Sequence, residues 1–118
     1  MTKILTGGVG KTEVAKTISD LGIDTLTVTV SSDMDAAMKL RGRQADYYLG
    51  TCHTGAGASL GVLVGLVGAV KCHTFGRSVP TEDEVCALLA EGKTVFGFAI
   101  DQIDVIAPVM ARAIAARG

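Results

Sequence analysis

The residues able to do chemistry are concentrated between Leu49 and Ser59, in the stretch LGTCHTGAGAS. A thiol (Cys52), an imidazole (His53), two hydroxyls (Thr54 and Ser59) and two glycines (Gly55 and Gly57) follow one another there. Glycine takes positive φ and admits close approach, so Gly55 and Gly57 let the backbone turn its N–H groups toward a ligand. The apolar run Leu60 to Val67 follows directly and reads as a helix starting near Ala58, whose positive pole would aim at the same spot. Such a turn suits a small anion, or the oxyanion that develops during proton transfer. Gly55, Ala56, Gly57, Ala58 and Ser59 are the candidate anion contacts, and Cys52, His53 and Thr54 the candidate catalytic groups. A helix N-terminus lowers the pKa of a thiol, and an imidazole carries protons near neutral pH.

Two further turns carry polar groups. Thr6 to Thr12, TGGVGKT, follows an apolar strand and precedes a helix, the context of a phosphate loop. A full phosphate loop begins with a glycine where this chain has Leu5, so the stretch reads as a nucleotide loop, an anion contact through Gly8, Gly10 and Lys11, or a plain strand-to-helix turn. The triplet Cys-His-Thr recurs at Cys72 to Thr74, on a strand taken to neighbour the one that ends near Gly50. Two thiols and two imidazoles form a zinc ligand set, but adjacent residues on a strand point to opposite faces, so no metal is expected. His73 is instead a candidate pocket imidazole or a satisfied, half-buried one. Arg77, in FGRSVP, reads as an anion contact or a solvated charge, and Asp101 as a sugar-hydroxyl contact or a turn residue.

The spacing C-x-T-G-x-G-x-S, behind the strand opened by Ala45 and Asp46, resembles the active-site loop of the type B ribose-5-phosphate isomerases and the related galactose-6-phosphate isomerase subunits. The likeness covers Ala45 to Ala69. It implies that Cys52 is the base moving a proton between C1 and C2 of a sugar phosphate, with Thr54 and the amides around Gly55 to Ser59 holding the enediolate oxygen. Those isomerases carry an Asp-His pair after strand one, where this chain has Gly7-Gly8. Over nearly its full length the chain resembles a second family, the uncharacterised bacterial YhfU-like proteins. The matching segments are Ser32 to Leu40 (SDMDAAMKL), Asp46 to Leu60 (DYYLGTCHTGAGASL) and Ala90 to Ile100 (AEGKTVFGFAI). That resemblance supports the fold and implies no activity.

Elements to position these groups follow from periodicity. β-branched apolar runs at Lys3–Thr6, Thr25–Val30, Asp46–Gly50, Ala69–Thr74 and Thr94–Ile100 read as strands. Helix-period segments alternate with them: Val14, Ile18 and Leu21 share one face, Ser32 and Asp35 open a second helix, and Thr81 and Glu84 form a capping-box pattern for a fourth. A last helix starts near Asp104 with Pro108 in its first turn. Strict alternation predicts an α/β three-layer sandwich, a five-stranded parallel sheet with helices on both faces, Rossmann-like or flavodoxin-like. The turns after strands one, three and four are then expected to ring one pocket at the strands' carboxyl ends.

Composition bounds the rest. The 118 residues predict one domain. The longest uncharged apolar run, Ala56 to Val70, is shorter than the roughly 20 residues a membrane helix needs, so no membrane insertion is expected. A net charge of −1 with no basic cluster, and only 4% aromatic residues, argue against nucleic acid. Three cysteines and no signal-like N-terminus predict reduced thiols and the cytoplasm. The glycine-spaced apolar segment Leu60 to Val67 predicts a homodimer or higher homo-oligomer. The expected function is binding of a small anionic metabolite, a sugar phosphate or a carboxylate, with isomerase-like chemistry at Cys52 and no cofactor. The alternative is a non-catalytic sensor or accessory subunit.

Overall fold

The computed structural model describes residues 1–54 and 60–117. In chain order they form β1 (Thr2–Gly8), α1 (Lys11–Asp20), β2 (Leu26–Val30), α2 (Asp33–Arg41), β3 (Tyr47–Cys52), α3 (Gly61–Val67), β4 (Cys72–Thr74), α4 (Glu82–Ala90), β5 (Val95–Ala99) and α5 (Ile103–Arg117). All strands are parallel, in the order β2-β1-β3-β5-β4.

Burial explains that order. Every residue of β5 is buried, as the apolar run VFGFA requires if both faces are covered, so β5 takes a central place. The three residues of β4 are half-buried or exposed and form an edge. β5 therefore separates β3 from β4, and the two Cys-His-Thr triplets do not lie on neighbouring strands as the sequence suggested. β4 is also shorter than expected, because Ala69–Lys71 close a 3-10 turn before it.

Strand side chains alternate between two layers. Ile4, Leu49, Phe96 and Phe98 pack with Val14 and Ile18 of α1, Val85 and Leu89 of α4, and Ile106 and Met110 of α5. On the other face Leu5, Tyr48 and Val95 pack with Ala36 and Ala37 of α2 and Leu63 of α3. The predicted three-layer α/β fold is thus realised. At one level across the three central strands, Gly7, Gly50 and Gly97 lie side by side.

The helix starts follow their capping residues. Thr81 and Glu84 form the reciprocal box, with Glu84 N–H donating to Thr81 Oγ1 at 3.1 Å and Thr81 N–H to Glu84 Oε1 at 2.9 Å. At α2 only half of the box exists: Ser32 accepts from Asp35 N–H at 3.3 Å, while the Asp35 carboxylate turns to Ser31 and Lys39. A 3-10 turn, Ile100–Gln102, runs straight into α5. The helix thus begins at Ile103, and Pro108 sits in its second turn rather than its first. The N–H that Pro108 lacks would have paired with the carbonyl of Asp104, an exposed residue whose carbonyl water can serve.

Candidate functional site

Strand order reverses between β1 and β3. From β1 the chain crosses through α1 to β2 on one side, and from β3 it crosses through α3 toward the other side of the sheet. In sheets of this type the crevice at the carboxyl ends of two such strands is where ligands bind. Gly8 of β1 is level there with Thr51 of β3, and Cys52 is level with Ala99 of β5. β3 runs two residues further than the sequence suggested, so Cys52 is the last residue of a strand. It lies 8% exposed on the α2/α3 face, and His53 and Thr54 after it are exposed.

Thr51, fully buried, holds the turn after β1. Its hydroxyl accepts the Gly10 N–H at 2.7 Å and donates to the Gly7 carbonyl at 3.4 Å, while its own carbonyl accepts the Val9 N–H at 3.1 Å. Across the turn the Thr6 hydroxyl donates to the Lys11 carbonyl at 2.8 Å. Gly8 adopts φ +83°, and a Cβ there would meet the Thr51 carbonyl; one on Gly10 would come within 2.7 Å of Ile103 Cδ1. GGVG is thus folded down onto β3, with two of its N–H groups committed to Thr51. Lys11, exposed at the head of α1, is the part of this turn that reaches outward, and no side chain caps the helix there.

The α2/α3 face carries a second contact. The Tyr48 ring is fully buried and its hydroxyl donates to Asp33 Oδ1 at 2.6 Å. A Cβ on Gly7 would fall on that hydroxyl. Burial first, and then the Asp33 carboxylate, push the Tyr48 phenol far above its usual range, so it stays protonated and remains a donor.

Other candidates lie apart from Cys52. His73 is level with Phe96 and faces α4 and α5, the layer opposite Cys52. There it meets Phe75 edge-on, ring centroids 4.8 Å apart, in a groove of about 490 Å³ shared with Glu84, Leu88 and Glu91. Burial, aided by Lys93 and opposed by Glu91, holds its imidazole below the ordinary value. Cys72 is level with Val95, four positions before Ala99 and hence about 13 Å down the strand axis from the Cys52 level. Its thiol is pushed up by burial, against Lys93. The two triplets therefore do not converge, and among the described residues no three His, Cys, Asp or Glu side chains are placed to hold a metal ion. Arg77 pairs with Asp101 at 2.6 Å just beyond the end of β5, so it reaches the carboxyl edge already bound to a carboxylate. Gly55, Ala56, Gly57, Ala58 and Ser59 lie outside the described residues, as does the expected helix start at Ala58; α3 is described from Gly61.

Residues 2–114 match a family described as a protein of unknown function, DUF2620. The chain belongs to that family. Its relatives include the uncharacterized protein YhfU of Escherichia coli K12 and its counterpart in Shigella flexneri, each 34% identical over 112 residues that cover 93% of this chain and 96% of the relative. Among solved structures, ribose-5-phosphate isomerase B from Giardia lamblia aligns with TM-score 0.68 at 14% identity, over 97% of this chain and 94% of that one. The corresponding isomerase from Thermotoga maritima aligns with TM-score 0.62 at 14% identity, over 95% and 84%. At that identity the likeness shows a shared fold.

Sequence reasoning missed two contacts at this end of the sheet, the Thr51 clamp and the Tyr48–Asp33 contact. Both join residues far apart in the chain, 41 and 15 positions respectively. The one local signal was the pair Gly7-Gly8 at a strand end, which reads equally well as a phosphate turn. In this DUF2620 chain the pair is bare because Tyr48 and Thr51 occupy the space its side chains would need.

Proposed function

We propose that this DUF2620 chain is a single cytoplasmic domain that binds a small anionic metabolite, a phosphorylated sugar or a carboxylate, between the carboxyl ends of β1 and β3. The observation that carries the reading is the position of Cys52, the last residue of β3, beside the strand-order reversal. Lys11 and the uncapped first turn of α1 supply positive potential on the β1 side. His53, Thr54 and the segment Gly55 to Ser59 supply the remaining polar contacts. The isomerase-like loop spacing, together with the shared fold, makes an aldose–ketose isomerisation the reaction to test first. In it the Cys52 thiolate takes the proton from the carbon beside the carbonyl and returns it to the neighbouring carbon, while Thr54 and nearby amides hold the enediolate oxygen.

One observation favours a non-catalytic sensor. Gly7 and Gly8, which stand where the isomerases carry an Asp-His pair, are hemmed in by Tyr48 and Thr51 and leave no room for side chains. A Cys52→Ser variant separates the readings. The isomerase reading expects sugar-phosphate turnover to fall by at least about 100-fold with ligand affinity retained; binding without turnover in wild type establishes the sensor. Self-association belongs to the same proposal, since Gly61, Val64 and Gly65 are exposed on the outer side of α3.

A further inference from the structure

We infer that the outer face of the α2/α3 layer is where two copies of this chain join, about a two-fold axis that sets each α2 antiparallel to its partner. The inference rests on the self-association proposed above and names its surface and symmetry.

The face is apolar and open. Met34 and Met38, four residues apart on α2, are each 57% exposed, and Val64 of α3 is 40% exposed. They belong to one patch. Ala36 and Ala37 turn α2 onto the sheet, and Lys39 turns toward Thr27 and Thr29 of the edge strand β2. Helical spacing then puts Met34 and Met38 on the opposite flank, toward α3, which packs alongside α2. On α3 Leu63 is buried, while Gly61, Val64 and Gly65 face outward. Nothing among the described residues lies within 4 Å of where a Cβ on either glycine would stand, so another helix can approach closely. From Leu49 to Val70 the chain holds no Asp, Glu, Lys or Arg, and no charge interrupts this half of the face. A contiguous exposed apolar patch of this kind marks an interaction surface.

Charge selects the occupant. Between parallel strands both helices run back from the carboxyl edge of the sheet to its amino edge. Asp33 and Asp35 stand in the first turn of α2, at the carboxyl edge. Arg41, Arg43 and Lys71 stand at the amino edge, where Arg43 and Lys71 share a hollow of about 300 Å³ with Leu40 and Val67. The face thus has an acidic end, an apolar middle and a basic end. A partner carrying one sign of charge is repelled at one of the two ends. A second copy turned through 180° instead brings its acidic end to the basic end and its basic end to the acidic one, and sets the dipoles of the paired helices antiparallel. With the axis near Met38, that side chain meets its own copy, and methionine repacks readily against an irregular surface.

Sedimentation equilibrium tests this on wild type and three variants, with folding of each checked by circular dichroism. Met38→Lys sets like charges against each other at the axis. Arg41→Glu combined with Arg43→Glu makes both ends acidic, and Asp35→Lys makes both ends basic. The expected result is a wild-type dimer that each variant weakens at least about tenfold. An equimolar mixture of the double variant with Asp35→Lys is expected to regain the dimer that neither forms alone, because every contact again joins opposite charges; a loss of folding does not produce that rescue. A wild-type dimer that Met38→Lys leaves intact, or a mixture that stays monomeric, overturns the inference and leaves self-association through another surface standing. A monomeric wild type overturns both.

Discussion

The Thr51 hydroxyl accepts the Gly10 N–H at 2.7 Å inside the protein, so the last turn of one strand holds the first turn of the helix that leaves its neighbour. The turn after β1 and the carboxyl end of β3 are in this way tied together by a single side chain one residue before Cys52.

Replacing Thr51 with valine keeps its volume and removes both hydroxyl contacts. The Gly10 N–H is then left buried without a partner, which costs about 1–3 kcal/mol. Urea unfolding is expected to show a loss in that range for Thr51→Val and a smaller one for Thr51→Ser, which retains the oxygen.

Two glycines with positive φ make a controlled comparison. Gly8 (φ +83°) has the Thr51 backbone against its missing Cβ, whereas Gly22 (φ +67°) has nothing within 4 Å. Gly22→Ala is expected to cost only the strain of the left-handed conformation, about 1 kcal/mol. Gly8→Ala adds displacement of β3 and is expected to cost at least about twice as much, or to prevent folding. Thermal melts of the two variants side by side decide this, and equal losses would refute the packing explanation.

Tyr48→Phe deletes a hydrogen bond to a charged acceptor that survives beneath α2. A loss of about 1.5–3 kcal/mol is expected in chemical unfolding, with Asp33→Asn milder because an amide oxygen still accepts.

His73 predicts a pH effect. Its folded pKa lies below the ordinary 6.5, chiefly through burial, so the unfolded chain binds the extra proton more readily. The contribution to stability is complete above the unfolded value and declines as pH falls from about 6.5 through the lower folded value. Melting temperatures measured from pH 7.5 downward should fall less steeply in His73→Gln than in wild type.

Much of this fold was legible because periodicity is local. The run VFGFA and the spacing of Val14 and Ile18 declare buried strand and amphipathic helix without reference to the rest of the chain. Cys52 stood out by residue type, and alternation of strands and helices placed it near the carboxyl end of β3, although the strand runs two residues past the expected Gly50. Partner choice was not legible: nothing within CHT states that β4 pairs with β5 rather than β3, and only the burial of β5 decides it. The Asp-for-Tyr48 contact was hidden for a related reason. Asp33 looks like an ordinary first-turn carboxylate of α2, and its second role appears only once a buried phenol arrives from another strand. The oxyanion reading of Gly55 to Ser59 stands as an expectation outside the described residues.

The placement of β5 has a consequence for biosynthesis. The strand that joins β3 to the edge strand β4 is the last to leave the ribosome, so until residue 99 has emerged β3 presents an open apolar margin and β4 has no strand to join. Such unpaired margins are where nascent chains stick to one another. A chain stopped before Val95 should accumulate in inclusion bodies or on chaperones, and one stopped after Ala99 should still do so, because it lacks the α5 residues Ile106, Met110 and Ile114 that cover one face of the sheet.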